Sequence, residues 1–443
     1  MLLLAFLSMI FYGFVAMTAT SYEQTQFFVP LYSAIYTIIL LYYCVEGAVR
    51  REINGRIMVI AGFSVFCFAD IAKYFAYEHT QKNVDITTAT DVAFLISLGF
   101  FLFLIFSRPL SGEQGAEYEC AGNTQAVADY SATKLSIVIL VALVCSVIYY
   151  INPEDYKHSY FGILNYFSKA IIIYLVYIYF IGRNWFYIFY ALILSALVMV
   201  DTSRRAFLAV LIPIGVLMLE NTFRQYSKLK KSLVVTAAII FFYIFLNFLR
   251  GGHDFGHGYK PGDYLANTFN YVVTLRSIDT FYNTCYVYDN FPSNYGYYFG
   301  ETYLAVLVGL VPRSVWPDKP VGFAAPLALM QKTGIDRFDV EKWYEINQFS
   351  LSPGFHGEAL ANFGIPGALL FSVLLGAATL YYDRYYKTII SSYIRDINKL
   401  CMLPLFFLIV RGDFYSASIY VLFIFVFVVL VDKFVALRRE LEQ

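Results

Sequence analysis

The chain has 443 residues, 59% of them hydrophobic and 14% charged, with 43 Phe, 40 Tyr and a mean hydropathy of +0.60. A soluble globular chain carries about 25% charged and about 45–50% apolar residues, so this composition excludes a soluble multidomain protein and a disordered one, and leaves a polytopic membrane protein. The formal net charge is zero, so no basic balance points to nucleic acid.

A membrane-crossing helix needs about 20 apolar residues to span roughly 30 Å of hydrocarbon. The hydropathy pattern predicts about twelve such helices, starting near Leu2, Phe28, Ile57, Val92, Leu135, Phe161, Trp185, Ala206, Leu233, Gly364, Asp396 and Phe414. The N-terminus is apolar from Leu2 to Met17 and has no basic n-region, so a first span is expected there rather than a cleaved signal. The segment Ser111 to Ser131 is a polar, mildly acidic loop without a motif. Trp185–Val200 and Ala206–Leu219 are short and nearly contiguous, as in a tight helical hairpin.

Lys and Arg bias orients the chain. Basic residues cluster at Arg50, Arg51 and Arg56, at Arg224, Lys228, Lys230 and Lys231, at Arg384 and Lys387, and at Lys433, Arg438 and Arg439. About twelve spans with both termini cytoplasmic put all these clusters inside. The organisation read from this is helices one to nine in residues 1–249, a large outer loop in 250–363 and the last helices in 364–443. That loop is rich in Tyr, Gly, Asn and Pro, and loops of this size carry function. Its apolar stretch Tyr303 to Val311 is too short to span and is expected to lie at the interface or re-enter the bilayer.

The six Cys stand at no metal-ligand spacing. All five His (His79, His158, His253, His257 and His356) fall in outer segments. The Gly-rich setting "GGHDFGHGYK" of His253 and His257 lacks further carboxylates at useful spacing, so no metal site is expected. Several cations lie where the orienting bias does not want them: Arg204 and Arg205 in "DTSRRAFL", Arg250 in "NFLRGG", Arg276, Arg313 and Lys319 in the loop, and Arg411 in "RGDF". Each one alone suits snorkelling toward lipid phosphate. Together they suit a polyanionic head group, because guanidinium pairs bidentately with phosphate oxygens and keeps its charge at any working pH.

"SLSPGFHGEALANFGIPGALL", Ser350 to Leu370, leads from the loop into a span. Gly364, Pro366 and Gly367 permit a bend or a close backbone approach. Glu358 precedes the bend. Partial desolvation at the membrane surface suits such a carboxyl to general-base work, and a first-turn carboxylate that merely complements the helix dipole is the alternative.

The chain resembles the Wzy-type O-antigen and oligosaccharide repeat-unit polymerases. The resembling pieces, in order, are "TSRRAFL", "RSIDTFYNTCYVYDNFP", "GETYLAVLVGLVPRSVWPDKP", "GFHGEALANFGIPG" and "RGDF", across roughly Asp201 to Tyr415. The pairing of "VPRSVWPDKP" with "GEALANFG" is the most specific part, and the first two hundred residues are similar only in hydropathy. The resemblance implies an all-α, GT-C-like glycosyltransferase in the bacterial inner membrane with its active site facing the periplasm. Such an enzyme moves a growing glycan from undecaprenyl diphosphate onto a newly flipped lipid-linked repeat unit. It implies no cofactor, and a chain-length regulator and a flippase as candidate partners beside the lipid bilayer.

On this reading Glu358 takes the acceptor hydroxyl proton, with His356 as lesser alternative or orienting neighbour and Asp279 in reserve. Arg204, Arg205, Arg250, Arg276, Arg313, Lys319 and Arg411 hold the diphosphate and neutralise charge as it leaves, without a metal. Asp279 joins the substrate-binding set, and Trp316, with Tyr295, Tyr297, Tyr298 and Trp343, offers faces for sugars. The related O-antigen ligases carry a His earlier relative to their Gly-x-x-Gly; counting back at that spacing lands near Pro353, which favours polymerase over ligase. A flippase or transporter of lipid-linked glycans is the rival from another class. It would place ionisable residues at mid-bilayer, whereas the spans here are mostly charge-free, with Lys73 and Lys169 as the exceptions, and the large outer loop does not suit a transporter.

Overall fold

The computed structural model describes residues 1–50, 53–78, 84–108, 132–151, 162–182, 185–199, 279–346 apart from positions 310, 312–314 and 317, 350–388 and 392–435, with a few positions between 210 and 216. Among these residues there are helices and no strands. Apart from a short turn of helix at Tyr22–Thr25, they are α1 (Leu2–Thr18), α2 (Phe28–Arg50), α3 (Gly55–Ala76), α4 (Ile86–Phe106), α5 (Ala132–Ile151), α6 (Gly162–Gly182), α7 (Trp185–Met199), α8 (Thr280–Asn290), α9 (Glu301–Val308), α10 (Ala324–Thr333), α11 (Val340–Glu345), α12 (Gly354–Thr388), α13 (Ser392–Arg411) and α14 (Phe414–Val435).

Each predicted span that falls on described residues coincides with a helix. Among the described residues five segments are long and apolar enough to cross a membrane: Tyr22–Gly47, Gly55–Ala76, Ile86–Phe106, Gly354–Tyr385 and Phe414–Val435. Leu2–Thr18, Thr133–Ile148 and Tyr166–Tyr179 are shorter apolar helices. The chain is thus an α-helical protein built to span a membrane. The predicted spans near Ala206 and Leu233, the loop Ser111 to Ser131 and the basic cluster Arg224 to Lys231 lie largely or wholly outside the described residues.

The chain forms two compact units. The first comprises Met1–Arg108, Ser227–Tyr385 and Phe406–Ile419; the second comprises Pro109–Tyr226, Tyr386–Leu405 and Tyr420–Gln443.

In the first unit the helices meet where side chains are small. Lipid tails are as apolar as leucine, so helices in a bilayer associate through close packing and interhelical hydrogen bonds. A Cβ at Gly376 of α12 would lie 2.8 Å from the Phe103 carbonyl of α4, and one at Gly62 of α3 would lie 2.9 Å from the Phe407 carbonyl of α13. Polar contacts reinforce this: Ser97 donates to Ser8 (3.1 Å), joining α4 to α1, and the Tyr12 and Ser33 hydroxyls lie 2.6 Å apart between α1 and α2. Phe63, Phe68, Phe100 and Phe103 fill the space between α3 and α4.

The N-terminus of α3 is capped twice. Asn54 accepts from the Ile57 N–H (3.0 Å), and the Asp383 carboxylate of α12 accepts from the N–H groups of Gly55 (2.8 Å) and Arg56 (3.3 Å). These are donors that a helix start leaves without an internal partner.

α12 breaks at Gly364, where φ is +67° and ψ −163°. This is the bend expected at Gly364–Gly367. Only glycine adopts such a backbone readily, and a Cβ there would also stand 2.8 Å from the Tyr297 hydroxyl.

The second unit packs α5, α6 and the C-terminal part of α14. Ser146 donates to Ser168 (2.9 Å), Tyr174 donates to Asp432 (3.1 Å), and Tyr166 stacks on Phe423 at 4.9 Å. Lys169, one of the two intramembrane lysines singled out in the sequence, is buried here with its ammonium 5.7 Å from the Tyr166 ring centre.

Candidate functional site

Segments that stand far apart in the sequence meet around the first turns of α12, in the first unit. Gly354 opens α12 with φ +73°, and Gly412 of "RGDF" has φ +78°. The two backbones touch: a Cβ at Gly412 would lie 2.5 Å from the Gly354 carbonyl carbon. From α8, Thr284 donates to the Pro353 carbonyl (3.1 Å) and Asn283 to the Ser352 carbonyl (2.9 Å). Gly322, just after "WPDKP", lies against Asp413 and Tyr415. The pieces "DTFYN", "GETYL", "VGF", "SPGFHGEALANFG" and "RGDF" therefore share one neighbourhood.

Glu358 is the centre of this junction and is only 2% exposed. One carboxylate oxygen accepts from the Thr302 hydroxyl of α9 (2.9 Å), and the other from the Phe414 N–H (2.7 Å). Phe414 is the first residue of α14, so the carboxylate satisfies an orphan donor and complements the positive end of that helix. Asn362, one turn further along α12, donates to the Thr302 oxygen and to the Glu358 carbonyl (2.8 Å each). Its side-chain oxygen accepts from the Gly300 N–H (2.9 Å). The N–H groups of Tyr298 and Phe299 donate to the carbonyls of Ala361 (3.0 Å) and Asn362 (3.2 Å). The turn before α9 is thereby laced onto α12.

Tyr303 stacks on Phe371 at 4.6 Å, and its buried hydroxyl makes no hydrogen bond among the described residues. Burial first, and the Glu358 charge second, hold this phenol well above its usual pKa. Thr302, Asn362 and Tyr303 were not singled out in the sequence. The available signal was the spacing of Glu358 and Asn362, four apart and so on one helix face.

His356 is also buried but belongs to a different contact. Its ring lies against Phe63 of α3, and a Cβ at Gly99 of α4 would stand 2.3 Å from Nε2. Nε2 lies 3.2 Å from the Ser372 hydroxyl, which also lies within hydrogen-bond reach of the Ala368 carbonyl (2.9 Å). Residues two apart on a helix do not face each other, so His356 and Glu358 point to different neighbours.

Asp279 stands at the N-terminal edge of α8 in a charge cluster. The Lys73 ammonium lies 2.8 Å from Asp70, 3.2 Å from Glu78 and 3.4 Å from Asp279. Asp70 also accepts from the Phe281 N–H (2.6 Å), so the cluster joins the end of α3 to the start of α8. Lys73, one of the two lysines that are exceptions to the charge-free spans, is thus matched by carboxylates.

The Arg411 guanidinium stands 5.8 Å from the Phe66 ring centre, one residue from the Gly412–Gly354 contact. The Lys319 ammonium donates to the carbonyls of Gly309 (2.8 Å) and Val311 (2.6 Å). Trp316 is exposed. Among the other aromatics, Tyr298 donates to the Asp336 carbonyl (2.5 Å) under the Arg337 guanidinium, and burial pushes its phenol pKa up. Tyr295 pairs with Tyr286 (3.3 Å), and Trp343 packs on Phe338.

Arg204, Arg205, Arg250, Arg276 and Arg313 lie outside the described residues, as do His79, His158, His253 and His257. Among the described residues no group of three or more His, Cys, Asp or Glu is arranged to hold a metal ion. The chain matches no protein-family profile, no curated protein and no solved structure.

Proposed function

We propose that this protein is a membrane glycosyltransferase of the repeat-unit polymerase kind. It would join undecaprenyl diphosphate-linked oligosaccharides at the periplasmic face of the bacterial inner membrane and release undecaprenyl diphosphate. The proposal includes about twelve spans with cytoplasmic termini, a GT-C-like arrangement and the basic set Arg204, Arg205, Arg250, Arg276, Arg313, Lys319 and Arg411 as the diphosphate site. One observation supports the reading: among the described residues, parts of four of the sequence pieces on which the resemblance rests meet around the buried Glu358 carboxylate.

In the proposed reaction the Glu358 carboxylate exchanges the Thr302 hydroxyl for the acceptor sugar hydroxyl and takes its proton as the new glycosidic bond forms. The bond from the donor sugar to its diphosphate breaks, and guanidinium groups stabilise the charge that develops on the leaving oxygen.

A second reading of Glu358 is favoured by its double hydrogen bond. As a fastener between α9, α12 and α14, it would hold the site together and touch no substrate. The experiment for the function itself is deletion of the gene followed by gel analysis of surface polysaccharide. Loss of the ladder with a single capped repeat retained supports a polymerase; loss of all capping assigns the protein to ligation or flipping instead.

A further inference from the structure

The face of α9 turned away from Thr302 and Ala305 is apolar and uncovered. Leu304 and Leu307, three apart on one side of the helix, are exposed, Leu307 by 77%. Phe299 before the helix is 76% exposed, and Val315 in the turn after it 74%, next to Trp316. Lys319 fastens that turn to the C-terminal end of α9 through its bonds to Gly309 and Val311. Exposed apolar side chains gathered in this way mark an interaction surface.

The depth of this surface follows from α12. From the Gly364 kink to Thr388 the helix is roughly 36 Å long at 1.5 Å per residue, enough to cross roughly 30 Å of hydrocarbon. Its outward stripe of Leu370, Leu374 and Tyr381 is exposed, as a lipid-facing stripe must be. Tyr303 of α9 stacks on Phe371 and Phe363, at the kinked end of that crossing segment (4.6 and 6.5 Å). Phe363 is itself exposed and lies against Gly300. α9 thus packs against the kinked end of α12, beside the exposed apolar stripe of that crossing segment.

We propose that Phe299, Leu304, Leu307, Val315 and Trp316 are inserted among the acyl chains of the bilayer, so that α9 is an interfacial helix. The occupant of this surface is bulk membrane lipid. The inference goes beyond the proposed function and does not rest on it.

The test uses the full-length protein in lipid nanodiscs and tryptophan fluorescence. The chain has three Trp, so W185F/W343F leaves Trp316 as the sole reporter. W185F/W316F/W343F with Leu307→Trp places a reporter on the helix. Phosphatidylcholine brominated on its acyl chains is the quencher from the lipid side, and acrylamide the quencher from water. Both reporters are expected to emit at short wavelength, to lose most of their emission to brominated lipid and to resist acrylamide. Quenching by acrylamide without quenching by brominated lipid would place the surface in water and overturn the proposal. Indifference to both would mean that protein, a second copy included, covers it, and overturns it equally. If Leu307→Trp fails to fold, the Trp316 reporter decides alone.

Discussion

Replacing Glu358 by Gln and by Ala separates its chemistry from its structural work. Gln can keep both hydrogen bonds: its Oε1 accepts from the Phe414 N–H, and its Nε2 donates to the Thr302 oxygen, whose proton then turns away. Ala keeps neither. A hydrogen bond to a charged group contributes about 1.5–3 kcal/mol, so losing two costs roughly 3–6 kcal/mol. That is a large part of the about 5–15 kcal/mol that holds a typical domain folded. Glu358→Ala should therefore lower the melting transition by several degrees in detergent or nanodiscs, whereas Glu358→Gln should melt close to the parent. On purified lipid-linked repeat units, Glu358→Gln should polymerise about 10²–10⁴-fold more slowly, the typical contribution of a general base. Near-normal polymerisation by a well-folded Glu358→Gln would refute catalysis by this carboxylate and leave it as a fastener. A Glu358→Gln protein that melts as low as Glu358→Ala would instead refute the hydrogen-bond exchange.

Gly412→Ala should destabilise the fold by about 1–3 kcal/mol, because the new methyl meets the Gly354 backbone at 2.5 Å and φ is +78°; a melting curve measures it, and an unchanged one disproves the close contact. Lys73→Met leaves buried Asp70 and Glu78 without their ammonium, a change that costs about 3–5 kcal/mol in buried pairs. Expression and thermal stability should fall together, and Asp70→Asn in the same chain should recover part of the loss. Arg411→Lys keeps the charge and loses the planar fork, so turnover is expected to drop about tenfold to a hundredfold with melting unchanged; full activity would remove Arg411 from the diphosphate site. A Cys at Gln225 in a Cys-free chain should resist an impermeant thiol reagent added from outside, and its labelling would overturn the proposed orientation.

The helices were legible because a run of about 20 apolar residues has few other uses. Their starts near Phe28, Ile57, Val92, Gly364 and Phe414 fall on the five segments able to cross a membrane. The break in α12 was legible because glycine and proline act locally on the backbone. The surroundings of Glu358 were not. Thr302 and Phe414 each stand 56 residues away from it, on elements that only the folded chain brings near. Its burial with two donors likewise could not be read from its place before a bend. The tie between Lys73 and Asp279 was hidden for the same reason, since Asp279 is 206 residues along the chain.

α12 carries a carboxylate toward each end, and each closes the start of another helix: Glu358 that of α14, and Asp383 that of α3. The second pairing has a consequence for biogenesis. Gly55 emerges from the ribosome 328 residues ahead of Asp383, an interval of about 15–65 s at about 5–20 residues per second. Throughout that time the first amides of α3 have Asn54 but not their acidic cap, and water or lipid head groups must satisfy them. Early helices therefore wait in a provisional arrangement, and the late arrival of α12 closes the first unit at both of its ends.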